Sequence, residues 1–441
     1  MASEGSFFKQ PDKKETLASK QQEKIRKLNH LRGRLNKSST WWWMKAGEAF
    51  GLAVLFLINF FLLYPFFGQE DKINVFSAPV IPFLASISEY FIPFSYGVRM
   101  WFLIFLLFFP LSFYYFVREI SGRKLIGFLV SFLVSLPVGI FLSSRIALGI
   151  FGGDGAYVAS LTFIPLACLF LLRFLRLGNF RAGLFSALGT SLVALTSPLG
   201  FVVLVIFMTV VTFSEMLLDR GRLKGLRFLV VLILAAGFLA FWYNPKFVIL
   251  TIQSPQGQLV QKTLFRLLPI SFFLGPLLGV FGFLLFENRS QLQSLFIAFF
   301  LTVIFGLFYL GAGTVYLFSF RFLPVFGVSF SLLVGVLTVW CFDFLRYSPK
   351  LRRVRVIFSH RQLFAFGLMW VFFVLMTIIF VFSIRNFREL KKSQILELTA
   401  KQKVEILEIK EKTSEIENIF GYAITALTVF GVLMLKRRLR T

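Results

Sequence analysis

The stretch that decides the fold runs from Gly152 to Gly200 and reads GGDGAYVASLTFIPLACLFLLRFLRLGNFRAGLFSALGTSLVALTSPLG. An acid, Asp154, sits in a glycine-rich turn, and an apolar run follows from Val158 to Leu172. Arg173, Arg176 and Arg181 make a short basic turn, after which a second apolar run, Ala182 to Leu195, ends in Thr196-Ser197-Pro198-Leu199-Gly200. Two apolar runs of near-bilayer length, joined by a tight basic loop and broken by polar residues at their far ends, read as a pair of membrane helices.

The rest of the chain repeats this texture. Its 441 residues are 57% hydrophobic and only 15% charged, with a mean hydropathy of +0.79. A soluble domain could not cover that much apolar surface with polar side chains. Period-2 alternation is absent, which argues against an outer-membrane barrel. The expected fold class is therefore all-α, a polytopic integral membrane protein of about twelve transmembrane helices. The first five expected spans are Ala46–Phe67, Val98–Val117, Leu125–Leu142, Tyr157–Leu172 and Ala182–Leu195. Phe201–Leu217, Phe228–Trp242, Leu267–Phe286 and Leu295–Leu310 follow, then Phe322–Phe342, Leu363–Phe382 and Ile419–Leu435. Between the first two spans, the proline-broken stretch Gly68 to Tyr96 reads as interfacial or re-entrant helix. Tyr243 to Arg266 reads as an outer loop, and Thr196 to Gly200 as a boundary or as a break within one helix.

Three regions follow from composition. Residues 1–45 are a basic segment that reads as cytoplasmic, either a solvated tail or in part an amphipathic helix. Residues 46–345 are the transmembrane core. Residues 346–441 are C-terminal helices around a stretch, Ile384 to Ile416, in which lysine and glutamate alternate with Ile, Leu and Val. That stretch is expected to be an amphipathic helix outside the hydrocarbon.

The formal net charge of +26 raises nucleic acid as a partner, but the cations lie between apolar runs, as the positive-inside rule requires of a membrane protein. With the N-terminus inside, the N-terminal segment, short inner loops and C-terminal tail hold 32 Lys/Arg, against 7 in the short outer loops. Both termini are thus expected in the cytoplasm of a cell-membrane protein. Cys168 and Cys341 lie within apolar runs, with neither a disulfide framework nor metal spacing. His30 and His360 both fall on the expected inner side, which excludes an outward-facing histidine site.

Candidate chemistry therefore rests on few residues. Glu119, Glu215, Asp219, Glu287 and Asp343 have cations nearby in sequence and read as solvated ion pairs of the inner face. The short outer loops hold Glu70, Asp71, Glu89 and Asp154. Glu70-Asp71 directly follows the first span. Adjacent carboxylates repel, so the pair is either a polar stop or a general base, with a divalent metal as its possible cofactor. Asp154 is either the N-cap of the fourth span or an acid presented to a ligand by Gly152-Gly153-Asp154-Gly155. Arg145 and Arg321 lie at outer span ends, as interface anchors or as captors of a lipid-linked phosphate.

These features together resemble the GT-C superfamily of polytopic membrane glycosyltransferases, and in particular prokaryotic membrane proteins of that architecture. The resemblance runs from about Ala46 to Phe342. It is carried by Glu70-Asp71 after the first span, Asp154 in the second outer loop, and the span pair with Pro165 and the basic turn Arg173–Arg181. The ending Leu195-Thr196-Ser197-Pro198 carries it too, with Ser197 where many relatives have histidine. It implies a GT-C-like bundle that transfers a sugar from a polyprenyl-linked donor at the outer face. Asp71 would be the base, Glu70 its assistant and Asp154 a second acid, with Arg321 or Arg145 on the lipid phosphate. The partners would be membrane lipid and the lipid-linked donor. Two other readings stay open: a non-catalytic protein of envelope assembly, and a lipid or solute transporter, although internal repeats and charge within the spans are not evident.

The charge bias yields a direct test. Reporter fusions at Asn179 and Lys401 are expected to report inside and outside, respectively; an external Asn179 or an internal Lys401 overturns the assigned orientation.

Overall fold

The computed structural model describes residues 46–70, 78–218, 221–269, 289–311, 317–347, 392–413 and 415–438. The expected span Leu363–Phe382, most of Leu267–Phe286, the N-terminal basic segment and Asp71 lie outside the described residues. Those described are helical, with no strand among them. Seven helices among them are long and apolar enough to cross a membrane. This is the form that an apolar medium imposes, because a helix satisfies its backbone hydrogen bonds internally.

The first of these, α1 (Ala46–Phe66), is followed by the short α2 (Val80–Ser88) and by α3 (Phe94–Ser121), which at 28 residues is long enough to cross a bilayer with tilt. Asn59 of α1 donates to Ser135 Oγ at 2.8 Å. That serine ends α4 (Lys124–Ser135), and here the expected span Leu125–Leu142 is corrected: α4 has 12 residues and stops. Pro137 cannot donate to a continuing helical ladder. The chain turns instead, with Val138 N and Leu142 N both donating to the Leu136 carbonyl. It re-enters helix as α5 (Leu142–Phe151), whose last turn is π-helical.

The quoted stretch forms α6 (Gly155–Leu177) and α7 (Phe180–Thr196). The helix path of α6 loosens at Leu161 and Thr162, where the Thr162 hydroxyl donates to the Phe105 carbonyl at 2.8 Å. The boundary at Thr196 is a true break: Ser197 is extended, and α8 (Pro198–Leu218) begins at the proline. Next come α9 (Gly221–Leu239), α10 (Pro245–Gln253) and α11 (255–269), so the expected outer loop Tyr243–Arg266 is instead largely helical. Asn244 explains the start of α10, since its side chain accepts from Phe247 N at 2.7 Å, with Pro245 at the first helical position. The remaining helices are α12 (Arg289–Gly311), α13 (Leu323–Tyr347), α14 (Lys392–Glu411) and α15 (Glu415–Arg438).

The core is one cluster of apolar side chains contributed by α3, α6, α8, α12 and α13, with Phe109, Phe113, Phe300, Phe305 and Phe326 almost wholly buried. Around it α15 presents Phe420, Leu427, Phe430 and Leu433 outward, as a lipid-facing helix does. A second, small cluster, Phe247, Ile406 and Ile409, joins α10 to α14. One contact shows how closely the core packs. A Cβ added at Gly327 of α13 would lie 2.1 Å from the Ile140 carbonyl oxygen, a backbone atom that cannot swing aside. At Gly306 of α12 it would meet only Phe326 at 3.4 Å.

Gly327→Ala is therefore expected to destabilise by about 1–3 kcal/mol through overpacking. Gly306→Ala should be neutral or slightly stabilising, since alanine favours helix by up to about 1 kcal/mol. Thermal unfolding of both variants in detergent checks this.

Candidate functional site

Polar contacts gather at two ends of the bundle. In α3, Arg99 and Glu119 are separated by about 30 Å of helix. At the Glu119 end, Arg173 Nη2 lies 2.9 Å from Glu119 Oε2 and is half-exposed. Deeper, Glu215 accepts from Arg176 Nε at 2.8 Å, Lys224 Nζ at 2.7 Å and Gln293 Nε2 at 2.7 Å. Its side chain is only 2% exposed, which corrects the expected solvated pair: three helices and the α6 basic turn close over it. With both oxygens engaged by three donors, the cluster is a clamp joining α6, α8, α9 and α12.

The opposite end carries the candidate site, and it starts from the π-turn of α5. Gly152 N donates to the Ala147 carbonyl at 2.8 Å and Asp154 N to the Leu148 carbonyl at 3.1 Å. Between them Gly153 takes φ 65°, a conformation costly to any residue with a Cβ. This turn delivers Asp154 to the N-cap position of α6, yet its side chain makes no capping bond. Its Oδ2 instead lies 2.7 Å from Arg321 Nε, both side chains being nearly inaccessible. One helical turn on, Tyr157 Oη donates to the Arg321 carbonyl at 2.9 Å. Residues 154 and 157 share one face of α6, so a single helix face holds both the backbone and the guanidinium of Arg321. The Phe318 ring lies under that guanidinium, 4.6 Å from its carbon.

A small cleft opens beside this pair. It is lined by Asp154, Ser197, Arg321, Gln402 and Lys403, with Ala78, Ala156, Pro198 and Leu199 as its apolar wall. The enclosed volume is about 10 Å³, room for roughly one water. Ser197, at the α7–α8 break, accepts from Gly200 N at 3.4 Å. Its residue position, read from the Thr-Ser-Pro ending, and Asp154 and Arg321, read as outer candidates, thus converge in one place.

The other candidates do not join them. Glu70 is exposed, and its carbonyl accepts from Arg99 Nη2 at 3.1 Å. Asp71 is outside the described residues, so the Glu70-Asp71 pair has no geometry here. Arg145 is buried in α5, its Nη2 donating to the Val134 carbonyl and its guanidinium 4.4 Å from the Phe109 ring centre. It does not line the cleft. Among the described residues no three His, Cys, Asp or Glu side chains group as a metal site would require. Tyr157, Gln402 and Lys403 were missed by sequence reasoning. The i,i+3 spacing from Asp154 was the sequence signal for Tyr157; for Gln402 and Lys403 there was none, since they lie some 250 residues from Asp154 in a helix of similar charges.

No protein-family model, curated protein or solved structure matches the chain.

The ion pair makes a measurable claim. Removing one partner of a buried pair typically costs about 3–5 kcal/mol, because the other charge is left uncompensated. Asp154→Asn and Arg321→Met are each expected to destabilise on that scale, and the double variant to recover part of the loss. A thermal-unfolding double-mutant cycle checks this; additive losses would deny the coupling.

Proposed function

We propose that this chain is a membrane glycosyltransferase of GT-C type, a bundle of about twelve spans in the cell membrane with both termini inside, acting on a polyprenyl-linked sugar at the outer face. The observation that carries the reading is the meeting of Asp154 and Arg321 in a cleft at the end of the bundle away from the basic turn. Lipid-linked transfer calls for such an arrangement. The donor's tail stays in the hydrocarbon, its phosphate needs a cation at the membrane boundary, and the acceptor hydroxyl needs a carboxylate nearby. In the ligand-free protein Asp154 neutralises Arg321. A phosphate that takes over the guanidinium releases the carboxylate to orient or deprotonate the acceptor. On this reading Asp71, from the first outer loop, is the principal base and Asp154 the second acid. Arg145, lodged against Phe109, would serve the fold rather than the phosphate.

One observation favours a second reading, a non-catalytic role in envelope assembly: Ser197 stands at the cleft where the resemblance places histidine, and its oxygen is engaged with Gly200 N. Transfer of radiolabelled sugar from polyprenyl-linked donors in proteoliposomes separates the two. Asp71→Asn is expected to lower the rate by about 10²–10⁴, the usual worth of a general base. Asp154→Asn should lower it too, with a weakened dependence on donor concentration. Wild-type protein that transfers no sugar from any donor supplied, or an Asp71→Asn variant as fast as wild type, overturns the transferase assignment or the role of its base, respectively.

A further inference from the structure

The helix over the cleft has a buried face that changes character along its length. Thr399, Gln402 and Lys403 of α14 are all more than nine-tenths buried, at 0%, 5% and 6% exposed, and Gln402 and Lys403 line the Asp154 cleft. One turn further on the face becomes apolar, and Ile406 and Ile409 pack on Phe247 of α10. Lys410 lies over the Trp242 ring. A helix docked for stability alone would bury an apolar stripe throughout. Here Leu398, Ile406 and Ile409 anchor the helix, and between them Gln402 and Lys403 cover the site.

Lys403 Nζ donates to the Gly153 carbonyl at 3.0 Å, while Arg321 is paired with Asp154. Two cations from segments 82 positions apart in the chain thus converge on the consecutive residues Gly153 and Asp154. The Asp154 carboxylate shares the cleft lining with both of them. The Gln402 Oε1 is buried in the same lining without a hydrogen-bond partner among the described residues.

We infer that α14 is part of the binding site, and that Lys403 and Arg321 together form a two-cation seat for a phosphate group. The inference rests on the proposed function only for the lipid-borne nature of that phosphate. The Asp154 carboxylate and the Gly153 carbonyl act as stand-in acceptors that phosphate oxygens replace, and Gln402 adds its amide. The cleft has room for about one water, so a phosphate seated there displaces the side chains of α14 that line it. The apolar contacts of α14 are few, Leu398 against the main core and Ile406 and Ile409 in the small cluster with Phe247, which suits an element that opens locally.

The test is binding, read without turnover. Native mass spectrometry of the full chain, titrated with a polyprenyl monophosphate, gives a dissociation constant for each variant. Lys403→Gln is expected to weaken binding by about tenfold or more, the scale of one lost charge-assisted contact. Lys403→Arg should stay within about threefold of wild type, and Gln402→Ala should give a smaller loss. Lys401→Gln, whose side chain is exposed and paired with Glu397 on the same helix, controls for loss of charge alone. Inorganic phosphate as competitor separates the sources: displacement at millimolar concentration assigns the seat to free phosphate, and failure to displace assigns it to the lipid headgroup. Equal losses in Lys401→Gln and Lys403→Gln, wild-type binding by a folded Lys403→Gln, or no binding of either probe overturns the proposal. If Lys403→Gln unfolds, the Lys403→Arg and Gln402→Ala pair decides, and wild-type affinity in Gln402→Ala with loss in Lys403→Arg counts against the seat. Specific binding with no sugar transfer leaves the seat standing and removes the transferase reading. Transfer that is indifferent to Lys403 does the reverse.

Discussion

Burying a guanidinium is costly unless charge or dipoles meet it: Arg145 has the Val134 carbonyl and the Phe109 ring, whereas Arg321 meets a carboxylate, Asp154, at 2.7 Å. Much at that end of the bundle follows from satisfying this demand. The π-turn of α5 and the positive φ of Gly153 set Asp154 at the head of α6, and Tyr157 on the same face grips the Arg321 backbone. The break at Ser197 and Pro198 brings the head of α8 alongside. Each of these departs from regular helix, and together they border one cleft. Irregular backbone at membrane depth persists where protein surrounds it and satisfies its polar groups.

The other end solves the same electrostatic problem differently. Glu215 is buried, but Arg176, Lys224 and Gln293 engage both its oxygens, so that the cluster holds helices together. At the Asp154 end the charges pair directly beside a water-sized space, beneath a helix seated on few apolar side chains. A saturated network favours rigidity, whereas pairs that a ligand can replace favour exchange. The contrast between the two ends is the physical ground on which the proposed site is put at one and structural clamping at the other.

The helix over the cleft also explains why the segment around Lys392–Glu411 alternates charge with apolar residues. Its exposed face carries Glu397 and Lys401 as an i,i+4 pair, while Ile406 and Ile409 seat it on α10. Asn244 pairs with Asn418 at 2.9 Å, and Lys246 with Glu417, which ties the start of α15 to the same surface helices. The surface layer at this end is thus built from chain segments on both sides of α12 and α13.

By itself the sequence determined the class of fold and the medium around it, because hydropathy and the need for internally satisfied backbone act locally and leave a mark in every apolar run. It also marked Asp154, Arg321 and the break at Ser197, since an acid among glycines, an arginine among phenylalanines and a Ser-Pro after an apolar run are each locally anomalous. It could not show that the span expected at Leu125–Leu142 shortens to Lys124–Ser135, although Pro137 held the reason, because the turn that follows is as apolar in sequence as the helix it interrupts. Nor could it distinguish Glu215, buried and saturated, from Glu119 at the surface, since both have cations nearby in the chain. Only the tertiary structure decided that Asp154 pairs with Arg321 rather than capping its helix, and that Lys403 reaches Gly153. Those contacts span 167 and 250 positions, and at such separations only the packed bundle selects which charge meets which.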